Sequence, residues 1–320
     1  MIITLTANPS LDRTATLDAP LARGQVQRVS GVTVEPGGKG VNVARAIHYA
    51  GHPVTAVLPA PASDPILAAL RQLGVAYRTV EVAEGVRMNL TLTEPDGTTT
   101  KLNSPGATVT PAVLDAMSQA MISRAANAQW VVLAGSLPPG APVGWYAELV
   151  TALRATPAKI AVDTSDAPLS ALVDALPGAA PDLMKPNGHE LASFTGDDAD
   201  DLESDPTAAA RAARYLVDRG VGTVLATLGG TGAVLVTADE AWFAPALPID
   251  VVSTVGAGDS SLFGYLLGEV RGLSPAERLG LGVAYGSAAA GLPGTTIPTP
   301  SQTQPDLVRV SSLKLRPEQP

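Results

Sequence analysis

The stretch Ser253-Thr254-Val255-Gly256-Ala257-Gly258-Asp259-Ser260 follows a strand-like apolar run and opens a long apolar segment of helical period, Ala257 to Arg271. Small residues at 256–258 let backbone N–H groups converge at a helix N-terminus, an arrangement that favours phosphate or a developing oxyanion. Asp259 then projects from the first helical turn beside that anion hole. A carboxylate there can accept a proton from a hydroxyl as the hydroxyl attacks phosphorus. Taken alone, an aspartate at this point also complements the helix dipole, so the rest of the chain has to decide between the two roles.

Working back from this segment, short β-rich apolar runs alternate with helix-period stretches, the pattern of an α/β fold with a mostly parallel sheet flanked by helices. Core strands are predicted at 2–7, 54–58, 130–134, 160–163, 182–185 and 223–228, and helices at 41–50, 111–126, 206–219, 257–271 and 275–291. Two regions break the alternation. Residues 14–34 and 87–102 alternate polar and apolar, the second around a Pro95-Asp96-Gly97 turn, and read as half-exposed antiparallel strands. They predict a small β-sheet lid on a main α/β domain made of 1–13, 35–86 and 103–320. After Thr296, a Pro-, Ser-, Thr- and Gln-rich stretch predicts a tail running over the surface.

Composition excludes several classes. The 320-residue chain has no cysteine, which rules out disulfides and thiolate metal sites. Its formal net charge of -9 argues against nucleic acid as a partner. No apolar run approaches the roughly 18 residues that span a bilayer, and the opening Met1–Ala7 lacks the basic region of a signal peptide. A cytoplasmic protein is expected. Lysine is scarce, and two of the five, Lys39 and Lys185, fall inside motifs.

The first of these motifs is Glu35-Pro36-Gly37-Gly38-Lys39-Gly40-Val41-Asn42-Val43-Ala44. Its glycines permit a ligand to approach the backbone, while Lys39 and Asn42 supply polar contacts. It has neither Walker A spacing nor a dinucleotide fingerprint, and the glycines alone also suit a plain strand-to-helix turn. The second, Lys185-Pro186-Asn187-Gly188-His189-Glu190, places Asn187 and Glu190 on one face of an incipient helix. Oxygen ligands so arranged suit Mg²⁺ held through water; the same pair equally forms an N-terminal capping box. Thr227-Leu228-Gly229-Gly230-Thr231-Gly232 is a glycine turn between two strands, and Asn8-Pro9-Ser10-Leu11-Asp12 follows the first strand, where parallel sheets bind ligands. The three histidines show no metal-ligand spacing.

Taken in this order, and with Gly135-Ser136-Leu137-Pro138-Pro139-Gly140 between them, the motifs resemble the PfkB family of ribokinase-like carbohydrate kinases. The similarity runs from Asn8 to about Thr295. The resemblance implies ATP and Mg²⁺ as cofactors, ATP lying near Thr227–Gly232 and the late helices, and a sugar beneath the lid. It implies Asp259 as general base, with Gly256, Ala257 and Gly258 as the anion hole. Asn187 and Glu190 would organise Mg²⁺ and its waters. Lys185, Asn187, Thr227, Gly229, Gly232 and Ser287 would meet the nucleotide. Asp12, Gly38, Lys39, Asn42, Arg87, Asn89 and Ser136 would meet the sugar or its phosphate. A monovalent cation is admitted too, although Ser253 supplies no carboxylate where many relatives have one. A homodimer through the lid is the expected assembly.

Within the family, Ser253-Thr254-Val255, Arg87-Met88-Asn89 and Leu102-Asn103-Ser104-Pro105-Gly106 are similar to the branch that phosphorylates sugar phosphates. A guanidinium fork suits phosphate. The expected reaction is ATP-dependent conversion of fructose 1-phosphate to fructose 1,6-bisphosphate. Val57-Leu58-Pro59-Ala60 is more like a minor 6-phosphofructokinase, and Gln25 and Gln27 stand where that pattern carries basic residues. A 6-phosphofructokinase or tagatose-6-phosphate kinase is therefore the nearest alternative. A kinase of unphosphorylated sugars or nucleosides, and a sugar-phosphate sensor without turnover, are the remoter ones.

Overall fold

The structure, a computed structural model, describes residues 1–315. In chain order the strands are β1 (Ile2–Thr6), β2 (Ser10–Leu17), β3 (Val29–Gly37), β4 (Val54–Pro59), β5 (Tyr77–Val80), β6 (Arg87–Thr93), β7 (Thr99–Asn103), β8 (Trp130–Ala134), β9 (Lys159–Asp163), β10 (Leu183–Met184), β11 (Thr223–Thr227), β12 (Gly232–Thr237), β13 (Ala241–Pro245) and β14 (Ser311–Leu313). The helices are α1 (Lys39–Tyr49), α2 (Pro65–Gln72), α3 (Pro111–Ala125), α4 (Trp145–Leu153), α5 (Asp166–Asp174), α6 (Gly188–Thr195), α7 (Ala199–Ser204), α8 (Pro206–Val217), α9 (Ala257–Val270) and α10 (Pro275–Ala290).

Ten strands form one sheet in the order β14-β13-β12-β11-β10-β9-β8-β1-β4-β5. Neighbours are parallel from β5 to β11 and antiparallel from β11 to β14. The central strands β1, β8 and β10 are buried on both faces, as a parallel sheet with helices on each side requires. Alternate residues serve opposite cores: Ile3, Leu5, Val131 and Leu133 pack in the cluster that takes in α3, α4 and α8. Ile2, Trp130, Val132 and Ala134 pack in the one that takes in α1, α9 and α10. In the second cluster Phe263 of α9 meets Tyr285 of α10 edge-on, with ring centroids 4.6 Å apart.

The expected strand at 182–185 is shorter, but its backbone still pairs at both ends: Asp182 N donates to Ile160 O at 2.9 Å and Lys185 N to Val162 O at 3.1 Å. A second sheet, β3-β2-β6-β7, stands apart from the first. It reaches further along the chain than residues 14–34 and 87–102, since β2 begins at Ser10 and β3 ends at Gly37. Asp12 is thus a strand residue, not a turn residue. Two further expectations change. No strand directly precedes Ser253: β13 ends at Pro245, and Ala246–Gly256 runs as a loop in which Val251 and Val252 stay exposed. The chain after Thr296 does more than follow the surface, because it buries Ile297 and Val308 and adds β14 to the sheet edge beside β13. The last five residues of the range assigned to the main domain lie outside the described residues.

Candidate active site

The C-terminal ends of the central strands deliver the charged residues to one place. Asp163 closes β9, Lys185 follows β10, and Lys39 opens α1. Lys39 Nζ lies 2.6 Å from Asp163 Oδ1 and Lys185 Nζ 3.2 Å from Asp163 Oδ2. Asp163 is buried. Burial alone would raise its pKa, but the flanking lysines prevail and hold it below the usual carboxylate range. For Lys39 the balance is the mirror image: burial works against its charge, and Asp163, then Asp259, outweigh it and push the pKa up.

Asp259 sits in the first turn of α9 and is 7% exposed. Its Oδ2 accepts a hydrogen bond from Asn42 Nδ2 at 2.9 Å. Burial is the main force raising its pKa, helped by the negative charge of Asp163 and opposed by Lys39, Asn42 and Lys185. The helix begins there because Gly256 takes the left-handed conformation, φ 80°, which glycine alone adopts without penalty. The first N–H groups of α9 have no partner within the helix. A Cβ at Gly258 would meet Lys185 Nζ at 3.2 Å and would push the lysine head aside by a few tenths of an ångström.

Lys39, Lys185, Asn42 and Asp259 border a cavity of about 750 Å³ between the two sheets. On the small-sheet side it is lined by Asp12, Arg87 and Asn89; Gly38, Lys39 and Asn42 follow at the start of α1. Lys185, Asn187, Thr227, Gly229 and Gly232 line the opposite part, with Ser287 of α10 and Gly256–Asp259 closing the ring. Asp12 Oδ1 accepts from Asn89 Nδ2 at 2.9 Å and from Ser10 Oγ at 2.7 Å. Arg87 donates from Nε to Asn8 O and from Nη1 to Ser104 O, both at 3.3 Å. Among the described residues it makes no ion pair. Burial lowers its pKa, with Asp12 opposing. Ser287 Oγ is engaged with Leu247 N at 3.1 Å.

Two predicted residues do not reach the cavity wall. Ser136 lies behind Asn8, whose Nδ2 is 3.5 Å from its Oγ, and lines a separate open depression with Pro105 and Pro138. The same Asn8 side chain also bonds Pro105 O and Leu137 O, which turns the segment outward. Glu190 forms the capping box: its Oε2 accepts from Asn187 N at 2.9 Å, and Asn187 Oδ1 accepts from Glu190 N at 2.7 Å. Burial raises its pKa, with Lys185 the main opposing influence.

Three residues of the site were not singled out from the sequence. Asp163 is the most consequential; its only signal was an acid at the end of a buried apolar strand. Ser10 was read only as part of a turn. Glu203, inside an acidic run, lines the cavity and accepts from Gly188 N at 3.0 Å.

The donor set fits a polyphosphate. Two lysines, a helix N-terminus and glycine-lined walls converge, and the buried Asn42 Oδ1 and Asn89 Oδ1 have no hydrogen-bond partner. No group of three or more His, Cys, Asp or Glu able to hold a metal ion occurs among the described residues.

The fold and this site define a kinase of small molecules, and comparison with known proteins makes the class specific. Residues 5–302 match the pfkB family carbohydrate kinase model, and the chain belongs to that family. It is 38% identical over 300 residues to 1-phosphofructokinase of Haloferax volcanii, covering 93% of each chain. It is 33% identical to ATP-dependent 6-phosphofructokinase isozyme 2 of Mycobacterium tuberculosis, covering 92% of this chain and 85% of that one. Phosphofructokinase-2 of Escherichia coli, solved in complex with substrates and products, superposes with a TM-score of 0.86 at 30% identity, covering 94% of this chain and 96% of that one. The protein is an ATP-dependent sugar kinase of the ribokinase-like fold.

Two variants probe the site. Asp259→Asn is expected to lose on the order of 10²–10⁴ in kcat. Because the fold raises the pKa of Asp259, the folded state loses stability as the pH rises through the unfolded aspartate value, and the loss is complete above the folded one, so the amide should also raise the melting temperature at neutral pH. In the parent, kcat/KM should fall on the acid side as Asp259 protonates, with its limb above the usual aspartate range. Near-normal turnover of Asp259→Asn would remove the base assignment. Glu190→Gln keeps an acceptor for the capping box but no charge; a Mg²⁺ titration of activity should shift to higher concentration, and an unchanged titration would leave Glu190 a helix-capping residue only.

Proposed function

We propose that the protein phosphorylates a ketohexose phosphate at the expense of ATP, with fructose 1-phosphate as the preferred substrate and fructose 1,6-bisphosphate as the product. The observation that carries this reading is Arg87. It faces the cavity from the small sheet, and no carboxylate neutralises it through an ion pair among the described residues. A fixed guanidinium of this kind, in an acidic chain, suits an anionic end of the substrate. The 38% identity to a 1-phosphofructokinase supports the position of the phosphate.

In this reading the small sheet is a lid, formed around residues 14–34 and 87–102, and the sugar lies beneath it. Asp12, braced by Ser10 and Asn89, accepts bonds from sugar hydroxyls. Asn42 aims Asp259 at the reacting hydroxyl. As that oxygen bonds to the γ-phosphorus and the bond to the β-phosphate oxygen breaks, the hydroxyl proton passes to the Asp259 carboxylate and ADP departs. Lys39, Lys185 and the amides at Gly256–Gly258 offset the charge of the transferring group. Bound Mg²⁺ would neutralise the phosphates, its waters ordered by Asn187 and Glu190. Thr227, Gly229, Gly232 and Ser287 would border the nucleotide. Ser136, behind Asn8, stays a candidate phosphate contact only if the Arg87 end opens towards it.

A form of the Escherichia coli neighbour is solved in complex with potassium, and on that likeness we extend the reading to a monovalent cation. A cytoplasmic setting suits an ATP-dependent enzyme without cysteine, and cell fractionation checks it. No helix among the described residues is long and apolar enough to cross a membrane.

The sheet's other face supports a dimer through the lid. Val32, Val34, Met88 and Leu102 are 45–60% exposed there, and such a patch on a twisted open sheet suits a second copy of the same chain. Sedimentation equilibrium at micromolar concentration should give a dimer that Val34→Lys dissociates; a monomeric parent refutes the lid-mediated dimer.

The substrate is tested by offering the protein with MgATP fructose 1-phosphate, fructose 6-phosphate, tagatose 6-phosphate, fructose and ribose, in K⁺ and in Na⁺, while following ADP. Fructose 1-phosphate should be turned over best. Arg87→Ala should cut the preference for phosphosugar over free sugar by roughly tenfold to a hundredfold, the worth of about 1.5–3 kcal/mol for a charge-assisted bond. If free fructose or ribose is the best substrate, the phosphosugar assignment is wrong while the family assignment stands.

A further inference from the structure

A contact between residues 260 apart in sequence joins the small sheet to the turn after α10. Thr295, in the turn after α10, donates its hydroxyl to Glu35 Oε2 at 3.0 Å. Glu35 lies in β3 directly opposite Asp12 of β2. Its Oε1 is 3.4 Å from Nη2 of Arg45, a buried residue of α1 that also donates from Nη1 to Pro36 O at 3.1 Å. The Glu35 carboxylate is therefore seated on α1 by the buried Arg45 guanidinium.

The turn that carries Thr295 is fastened to the anion-hole loop as well. Gly294 O accepts from Ser253 Oγ at 3.2 Å, and Val252 N and Ser253 N donate to Ala290 O at 2.9 and 3.2 Å. Ser253 lies three residues before Gly256, where α9 begins. Ala290 and Thr295 border the cavity on the side of α10, so a nucleotide filling that end touches the turn.

We infer that Glu35 and Thr295 are positioning residues for phosphoryl transfer. Their hydrogen bond sets the small sheet in register with the loop that forms the anion hole, so that occupation of the nucleotide end orders the sheet that bears Asp12. Transfer rates fall steeply when reacting groups are misplaced by an ångström, which gives such a link a kinetic consequence. The inference rests on the reading of this sheet as the one that holds the sugar, but its test needs only the nucleotide.

Glu35 is not the residue to change first, because buried Arg45 would lose its counter-charge and the fold could fail. Thr295→Val removes only the hydroxyl and Thr295→Ser keeps it. Hydrogen exchange of the full chain is followed with and without Mg²⁺ and a non-hydrolysable ATP analogue. In the parent, the nucleotide should slow exchange within 29–37 as well as within 227–232. In Thr295→Val the slowing at 29–37 should drop by roughly tenfold, the lower end for a hydrogen bond to a charged group, while that at 227–232 persists; Thr295→Ser should keep both. In turnover, Thr295→Val should lower kcat by a similar factor without moving the KM for ATP. The inference is overturned if the parent shows no slowing at 29–37, if Thr295→Val retains it, or if Thr295→Val loses protection at 227–232 too, which would make Thr295 a plain nucleotide contact. A wrong choice of sugar would show in the substrate panel and leave the exchange pattern unchanged.

Discussion

The active site depends on one buried carboxylate held between two lysines. Asp163 removed from water without partners would cost several kcal/mol; with Lys39 and Lys185 at 2.6 and 3.2 Å it becomes the fixed point at which β9, β10 and α1 converge. The two cations that neutralise Asp163 also stand beside the N-terminus of α9, where they face the carboxylate of Asp259. This is how a chain with a formal net charge of -9 maintains a site for polyphosphate: the positive field is local, and it is created by placing two of the five lysines at strand ends that meet.

The same arrangement puts Asp259 under tension. Burial and the charge of Asp163 favour its protonated form, while Asn42 and the lysines favour the ionised one. A base needs a pKa close enough to working pH to take a proton and low enough to be free to do so. Desolvation supplies the first condition and the lysines the second. In the proposed reading of Asp259 as the base, the fold carries a destabilising charge at the point where the chemistry requires it, the usual relation between activity and stability in an active site.

The two sheets divide the remaining labour. The large one is buried on both faces at its central strands β1, β8 and β10 and acts as a rigid platform, with its loops gathered at the strand ends. The small one turns Asp12, Arg87 and Asn89 towards the cavity and presents Val32, Val34, Met88 and Leu102 on the other side. Strand periodicity makes this separation automatic, since neighbouring residues point to opposite faces. Ser10 stands opposite Arg87 and Asp12 opposite Asn89 in the parallel β2–β6 pairing, so the groups that would meet the sugar form one patch set by the strand register.

Much of this was legible in the sequence. The α/β alternation, the small additional sheet, the helix opening at Ala257 and most of the cavity wall follow from local pattern, because apolar period, glycine turns and helix starts are set by residues near one another in the chain. Ser136 lies off the cavity wall because the setting of the segment before Pro138-Pro139 depends on what Asn8 binds, 128 residues away. The strand expected before Ser253 was missing because the Pro245–Pro248 segment leaves the sheet to follow the cavity. Asp163 gave almost no local signal, since an acid closing an apolar strand acquires meaning only when two lysines from distant segments reach it. The sequence by itself determined the class of fold and the helix that opens at Ala257 with Asp259 in its first turn. Which charges neutralise one another, and how the small sheet is tied to the loop before α9, was decided only in the tertiary structure, because electrostatic balance and hydrogen-bond reach depend on distances through space and not on spacing along the chain.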